Sequence, residues 1–144
     1  MKRMFLSCLM LLFCQMIVAQ QFVGTTPENR KVLIDEFTGR NCQYCPQGHI
    51  VSNRLMDNNP GRVFAINIHS CGEYVSYFSP TTYPNLNTDK GDIIRMNFDG
   101  CMLPSAMVNR ASEYAEMYDF WEGFTNEQLA QPAEVNIAGT VAID

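Results

Sequence analysis

Cys42-Gln43-Tyr44-Cys45-Pro46 follows directly on the strand-like run from Lys31 to Phe37, and this junction constrains the chain more than any other feature. Lys31 to Phe37 is apolar except for its first residue and Asp35-Glu36, a pattern that suits a central strand buried on both faces. Two thiols separated by two residues, where a strand hands over to a helix, make a dithiol that can close into a small disulfide. A helix N-terminus lends partial positive charge to the first sulfur and favours its thiolate, the reactive form. Three chemistries stay open at this point: redox exchange, a fixed disulfide stapling the turn, and a zinc half-site. Zinc would need two further ligands, and no typical spacing joins the pair to His49, His69 or Cys71. Haem attachment is excluded, because proline and not histidine follows Cys45.

The 144 residues suffice for one domain with a modest core. Residues 1–20 read as a secretory signal peptide. Lys2 and Arg3 form a basic start, and Met4 to Ala19 is an apolar stretch, short for a membrane span and broken by Ser7 and Gln15. Cys8 and Cys14 leave with it. The reading is therefore an exported protein of the periplasm or the outer membrane and cell surface, with no membrane span after cleavage. Cleavage removes two basic and no acidic residues, which leaves a net charge of −7. An acidic chain without a basic run argues against a nucleic-acid partner. The four remaining cysteines, Cys42, Cys45, Cys71 and Cys101, are an even number in a compartment that permits disulfides.

Beyond the dithiol, Ile50, Val51, Leu55 and Met56 recur at helical spacing, and Asn58-Asn59-Pro60-Gly61 ends that helix. Arg62 to His69 reads as a second strand. Ser70 to Lys90 is a long irregular excursion. Thr88 or Asp89 is the expected cap of a short helix carrying Ile93, Ile94, Met96 and Phe98. Ser105 to Asn109 reads as a third strand. Tyr118 to Gln131 is expected to be helical, with Phe120, Trp121, Phe124 and Leu129 as core contacts. From Val135 to Ile143 apolar residues alternate with Asn136, Ala138, Thr140 and Ala142, the pattern of a strand with no partner left in the chain. Residues 132–144 are thus expected to begin a truncated C-terminal β segment, after a domain at 21–131.

This order of elements resembles the thioredoxin-like fold, a three-layer α/β arrangement with a mixed central sheet. Val32 to Gly39 leading into Asn41-Cys-Gln-Tyr-Cys-Pro-Gln-Gly-His49 is similar to the thioredoxin-like domain of exported proteins related to the twenty-eight-kilodalton outer membrane protein. Leu103-Pro-Ser-Ala-Met-Val-Asn-Arg110 matches a second landmark of that family. The resemblance implies that Cys42 attacks and Cys45 resolves. It implies that Pro104 is a cis-proline facing the dithiol, and that Glu36 is a buried acid moving the resolving thiol's proton. Gln43-Tyr44 departs from strongly thiolate-stabilising pairs in carrying no positive charge. In a thioredoxin-like sheet, Cys71 and Cys101 gather on the same rim as Cys42. They are expected either to form a second disulfide, worth about 3–4 kcal/mol in the chain-entropy model, or to stay as buried thiols. His49, one helical turn past Cys45, reads as a helix-surface residue.

The expected activity is thiol-disulfide exchange with protein thiols or disulfides, with no cofactor because the cysteines suffice. The alternative is an outer-membrane-associated or surface binding module on the same scaffold, with a structural disulfide.

Overall fold

The computed structural model describes residues 24, 26, 28–40, 42–70, 86–98 and 102–137. The segment read as a signal peptide, most of the long excursion after Ser70, and Cys71 and Cys101 lie outside the described residues. Two compact units divide the chain: one holds residues 29–132, the other residues 1–28 and 133–144.

In the larger unit, strand β1 (Val32–Thr38) occupies the middle of a four-stranded mixed sheet ordered β2-β1-β3-β4. Strand β2 (Val63–His69) runs parallel to β1, with Val32 opposite Val63 and Thr38 opposite His69. Strand β3 (Ser105–Val108) runs antiparallel on the other side, with Phe37 opposite Ser105 and Ile34 opposite Val108. A two-residue strand, β4 (Glu116–Met117), closes that edge and has no counterpart in the sequence reading. The fold is mixed α/β and compatible with the thioredoxin-like arrangement.

Helices cover both faces of the sheet. On one face Val32 and Ile34 of β1, Val63 of β2, and Ala106 and Val108 of β3 pack with Leu55 of helix α1 (Cys45–Asn58) and Trp121 of helix α3 (Trp121–Leu129). On the other, Phe37, Ile68 and Met107 form a smaller core under Ile94 of helix α2 (Asp89–Met96) and Phe98. Period-two alternation sends successive β1 residues to opposite layers, which is why the run must be apolar on both sides.

Local chemistry sets the helix bounds. Pro46 sits in the first turn of α1, where its missing N–H costs nothing. Cys45, Gly48, Ser52 and Leu55, spaced three, four and three apart, form its buried stripe. Ile50, expected on the apolar face, falls off this stripe and is exposed. At α2 the Thr88 side chain accepts from the Gly91 N–H at 3.0 Å, so of the two expected caps Thr88 serves and Asp89 falls in the first turn. Helix α3 begins at Trp121 and not Tyr118, because residues 118–120 form the turn leading in. Phe120 is therefore exposed at the helix entrance and is not a core contact.

After β3 the chain reverses through Asn109 and Arg110, both left-handed at φ 52° and 51°. The Asn109 side chain accepts from the Leu33 N–H at 2.8 Å and donates to the Lys31 carbonyl at 3.2 Å, tying the turn to β1. In the smaller unit the Asn136 amide donates to the carbonyls of Gly24 and Thr26 at 2.7 and 2.8 Å. Residues 135–137, expected to open a strand, pair with no ladder, and Val135 and Ile137 are exposed. The rest of that expected strand, 138–144, lies outside the described residues.

Candidate dithiol site

Parallel pairing of β1 and β2 brings Thr38 and His69 to one rim of the sheet, and the antiparallel β3 starts there at Ser105. The turn after β1 and the N-terminus of α1 stand on that rim. Cys42 and Cys45 are joined there as a disulfide, with Cα atoms 5.4 Å apart, inside the usual range for such bonds. The Cys45 backbone N–H, at the first position of α1, donates to Cys42 Sγ at 3.1 Å. This is one of the helix-terminal amides that lack a partner within the helix. Both cysteines are buried: Cys42 is only 8% exposed and Cys45 2%. The same N–H bond and the closure of the disulfide draw the Cys42 sulfur in against the helix start.

Beneath α1, Glu36 is fully buried at 0% exposure. Period two places it on the face of β1 that α1 covers, in line with Val32 and Ile34. Ser52 Oγ donates to its Oε2 at 3.0 Å, and His49 Nδ1 lies 2.9 Å from Oε1. Burial raises the proton affinity of Glu36 above its ordinary value, opposed in turn by the charge of His49 and the hydrogen bonds from Ser52 and His49. His49 corrects its reading as a surface residue. It is 37% exposed, with its imidazole reaching inward to a buried carboxyl.

Pro104 follows a cis peptide bond from Leu103 and is buried. It packs on Gly48, one turn after Cys45: a Cβ placed on Gly48 would lie 2.9 Å from Pro104 Cβ and 2.8 Å from Glu36 Oε1. Cys45, Gly48, Glu36 and Pro104 therefore converge around the first turns of α1. His69 enters the rim from β2. Burial lowers its proton affinity below the ordinary imidazole value, and the proximity of His49 lowers it further.

Ser52 and Gly48 were not singled out from the sequence. The signal for them was spacing: both sit on the stripe of α1 that starts at Cys45 and faces β1. A second ion pair also went unread, Arg110 Nε donating to Asp35 Oδ2 at 2.6 Å on the opposite face. Cys71 and Cys101, with their expected pairing, lie outside the described residues. Among the described residues no group of three or more His, Cys, Asp or Glu side chains could hold a metal ion, and no helix is long and apolar enough to cross a membrane.

No protein-family model matches the chain, and no curated protein matches it. Among solved structures, the crystal structure of a protein from Agrobacterium tumefaciens, a structural-genomics target, is similar with a TM-score of 0.54 at 15% sequence identity. The match covers 72% of this chain and 46% of that one, so the chain spans about half that protein's length. At this identity the likeness is one of fold alone.

Proposed function

We propose that the chain is an exported, thioredoxin-like thiol-disulfide exchange protein, of the kind related to the twenty-eight-kilodalton outer membrane protein. The observation that carries this reading is the Cys45 N–H donated to Cys42 Sγ at the start of α1. When the disulfide opens, that N–H and the helix terminus stabilise a thiolate at Cys42. The thiolate attacks a partner's disulfide, or an oxidised Cys42 accepts a partner's thiolate, through a mixed disulfide that Cys45 resolves. Protein thiols and disulfides of the periplasm or outer surface are the proposed partners. The buried carboxyl below the helix supports the same reading, because a buried acid with a raised proton affinity next to reactive groups is a mark of functional sites.

One observation favours a second reading. Both cysteines are buried residues, as in a disulfide that only holds the turn of a binding module. The two readings separate on the redox behaviour of the pair. The mature protein is equilibrated across glutathione buffers, alkylated and analysed by mass spectrometry. Reversible titration between about −280 and −120 mV, with Cys42 the more reactive, supports exchange. A pair still oxidised below about −300 mV is structural and leaves the binding module.

A further inference from the structure

The Glu36 carboxyl is sealed from solvent by α1, yet one of its neighbours reaches outside. Ser52 occupies Oε2 at 3.0 Å from within the core. His49 stands at Oε1, 2.9 Å away, with over a third of its side chain exposed. Cys45, Gly48 and Ser52 follow one another at three- and four-residue steps along the buried side of α1, and His49, four residues past Cys45 and three before Ser52, flanks that stripe. Gly48 carries no side chain, and a Cβ there would stand only 2.8 Å from Oε1. The carboxyl thus lies against the helix backbone one turn past Cys45, with His49 leading outward from it.

We propose that His49 is the solvent outlet of a proton relay, passing protons between bulk water and the buried Glu36 carboxyl as the Cys42–Cys45 disulfide opens and closes. This rests on the exchange reading. In the reductive direction a thiolate of a partner dithiol bonds to Cys42 Sγ, and the Cys42–Cys45 bond breaks with its electron pair on Cys45. Cys45 takes the proton of Glu36, and His49 replaces it, drawing one from water. The partner's second thiolate then attacks its first sulfur and releases Cys42 as a thiolate beside the Cys45 N–H. The partner loses two electrons as its disulfide forms, and the cysteine pair gains them. The oxidative direction reverses each transfer.

The titratable groups set against His49 are Glu36 from β1 and, through its charge, His69 from β2. The pair Arg54–Glu122, 3.0 Å apart where α3 meets α1, lies further along the helix with both side chains more than half exposed. Ser52 is not an alternative outlet, since it is buried. Its hydroxyl holds the carboxyl in place and is a positioning residue.

The test is the rate at which dithiothreitol reduces the disulfide in the folded mature protein from pH 5 to 9, in wild type, His49→Gln and Glu36→Gln. The reductant's own thiolate fraction is common to all three and cancels in the ratio. Positioned proton donors contribute upward of 10²-fold when the leaving group needs them. A thiolate leaves more readily, so a loss of about tenfold is expected in His49→Gln near pH 6, shrinking toward none at pH 9. Glu36→Gln should show the same profile, and the double variant should lose no more than either single one. A wild-type to His49→Gln ratio that stays constant across pH overturns the relay and leaves exchange standing. Inertness of the folded disulfide to dithiothreitol overturns both. His49 is partly exposed, so its variant keeps the core intact and the comparison holds even if Glu36→Gln folds poorly.

Discussion

Gly48 and Pro104 touch without room for another atom: a Cβ on the glycine would stand 2.9 Å from the proline Cβ. In an exposed helix interior Gly→Ala stabilises by about 1 kcal/mol. Here the sign reverses, because the proline ring is rigid and α1 is pinned between it and β1. Moving the Glu36 carboxylate aside would also disturb its bonds to Ser52 and His49. Gly48→Ala should therefore destabilise by about 1–3 kcal/mol, the usual cost of overpacking. Urea denaturation of the oxidised protein measures it, and an unchanged or higher midpoint would mean that α1 can lift off Pro104 freely.

Glu36→Gln should change how stability depends on pH. Burial raises the Glu36 proton affinity above its ordinary 4.5, only partly offset by His49 and Ser52. Between 4.5 and the raised folded value, the folded chain keeps a proton that the unfolded chain has released. The contribution of Glu36 is therefore fully present below about pH 4.5 and is lost as pH rises through the folded value. Relative to Glu36→Gln, wild type should be most stable near pH 4 and lose ground toward neutrality. Thermal unfolding of both proteins across pH 4 to 8 reads this directly. A wild-type advantage that grows with pH would show the carboxylate to be better stabilised than its burial allows.

Much of this site was legible from residue order. Val32 to Phe37 had to be a central strand because both of its faces are apolar, and the break to Cys42 fixed the rim. Glu36 was singled out only through the family resemblance, which places a buried acid at its position. His49 was misread because a lone polar residue on a helix looks solvent-facing until the strand beneath it is registered. Only the pairing of period two in β1 with the three- and four-residue steps of α1 places it over Glu36. The short β4 and the Asp35–Arg110 pair were illegible for other reasons: β4 is two residues long and follows a turn through two left-handed residues, and the pair joins residues 75 apart in the chain. Phe120 was assigned to the core on hydrophobicity alone, and the start of α3 one residue later leaves it outside.

Arg110 should matter more than its surface position suggests. Asp35 is almost fully buried at 1% exposure, while Arg110 is 47% exposed. Their hydrogen bond holds the Arg110 proton more tightly than usual, and the guanidinium lies 6.0 Å over the Phe98 ring. Breaking a fully buried pair by removing one partner costs about 3–5 kcal/mol. Solvent reaches Arg110, so a smaller loss of about 1–2 kcal/mol is expected for Arg110→Met. Asp35→Asn combined with Arg110→Met should recover part of it, because the stranded charge is gone. A double variant no more stable than Arg110→Met in chemical denaturation would assign the loss to Phe98 contact and turn geometry instead.

Cys42 and Cys45 should behave unequally despite their similar burial. Cys42 receives the N–H of the first residue of α1, so on reduction it should be the better-stabilised thiolate and, on the exchange reading, the point of attack. Cys45 sits inside the helix on the stripe over Glu36, from which the proposed relay would supply its proton. Cys45→Ser should therefore leave Cys42 able to form mixed disulfides but unable to release them, and partner proteins should accumulate on it. Cys42→Ser should trap nothing and abolish exchange while the domain stays folded at lower thermal stability. Non-reducing electrophoresis of each variant, expressed in an oxidising compartment and quenched in acid, separates them. Adducts on Cys42→Ser in place of Cys45→Ser would reverse the assigned roles. Adducts on neither would favour the fixed disulfide of a binding module, because an exchanging pair must pass through the intermediate that Cys45→Ser arrests.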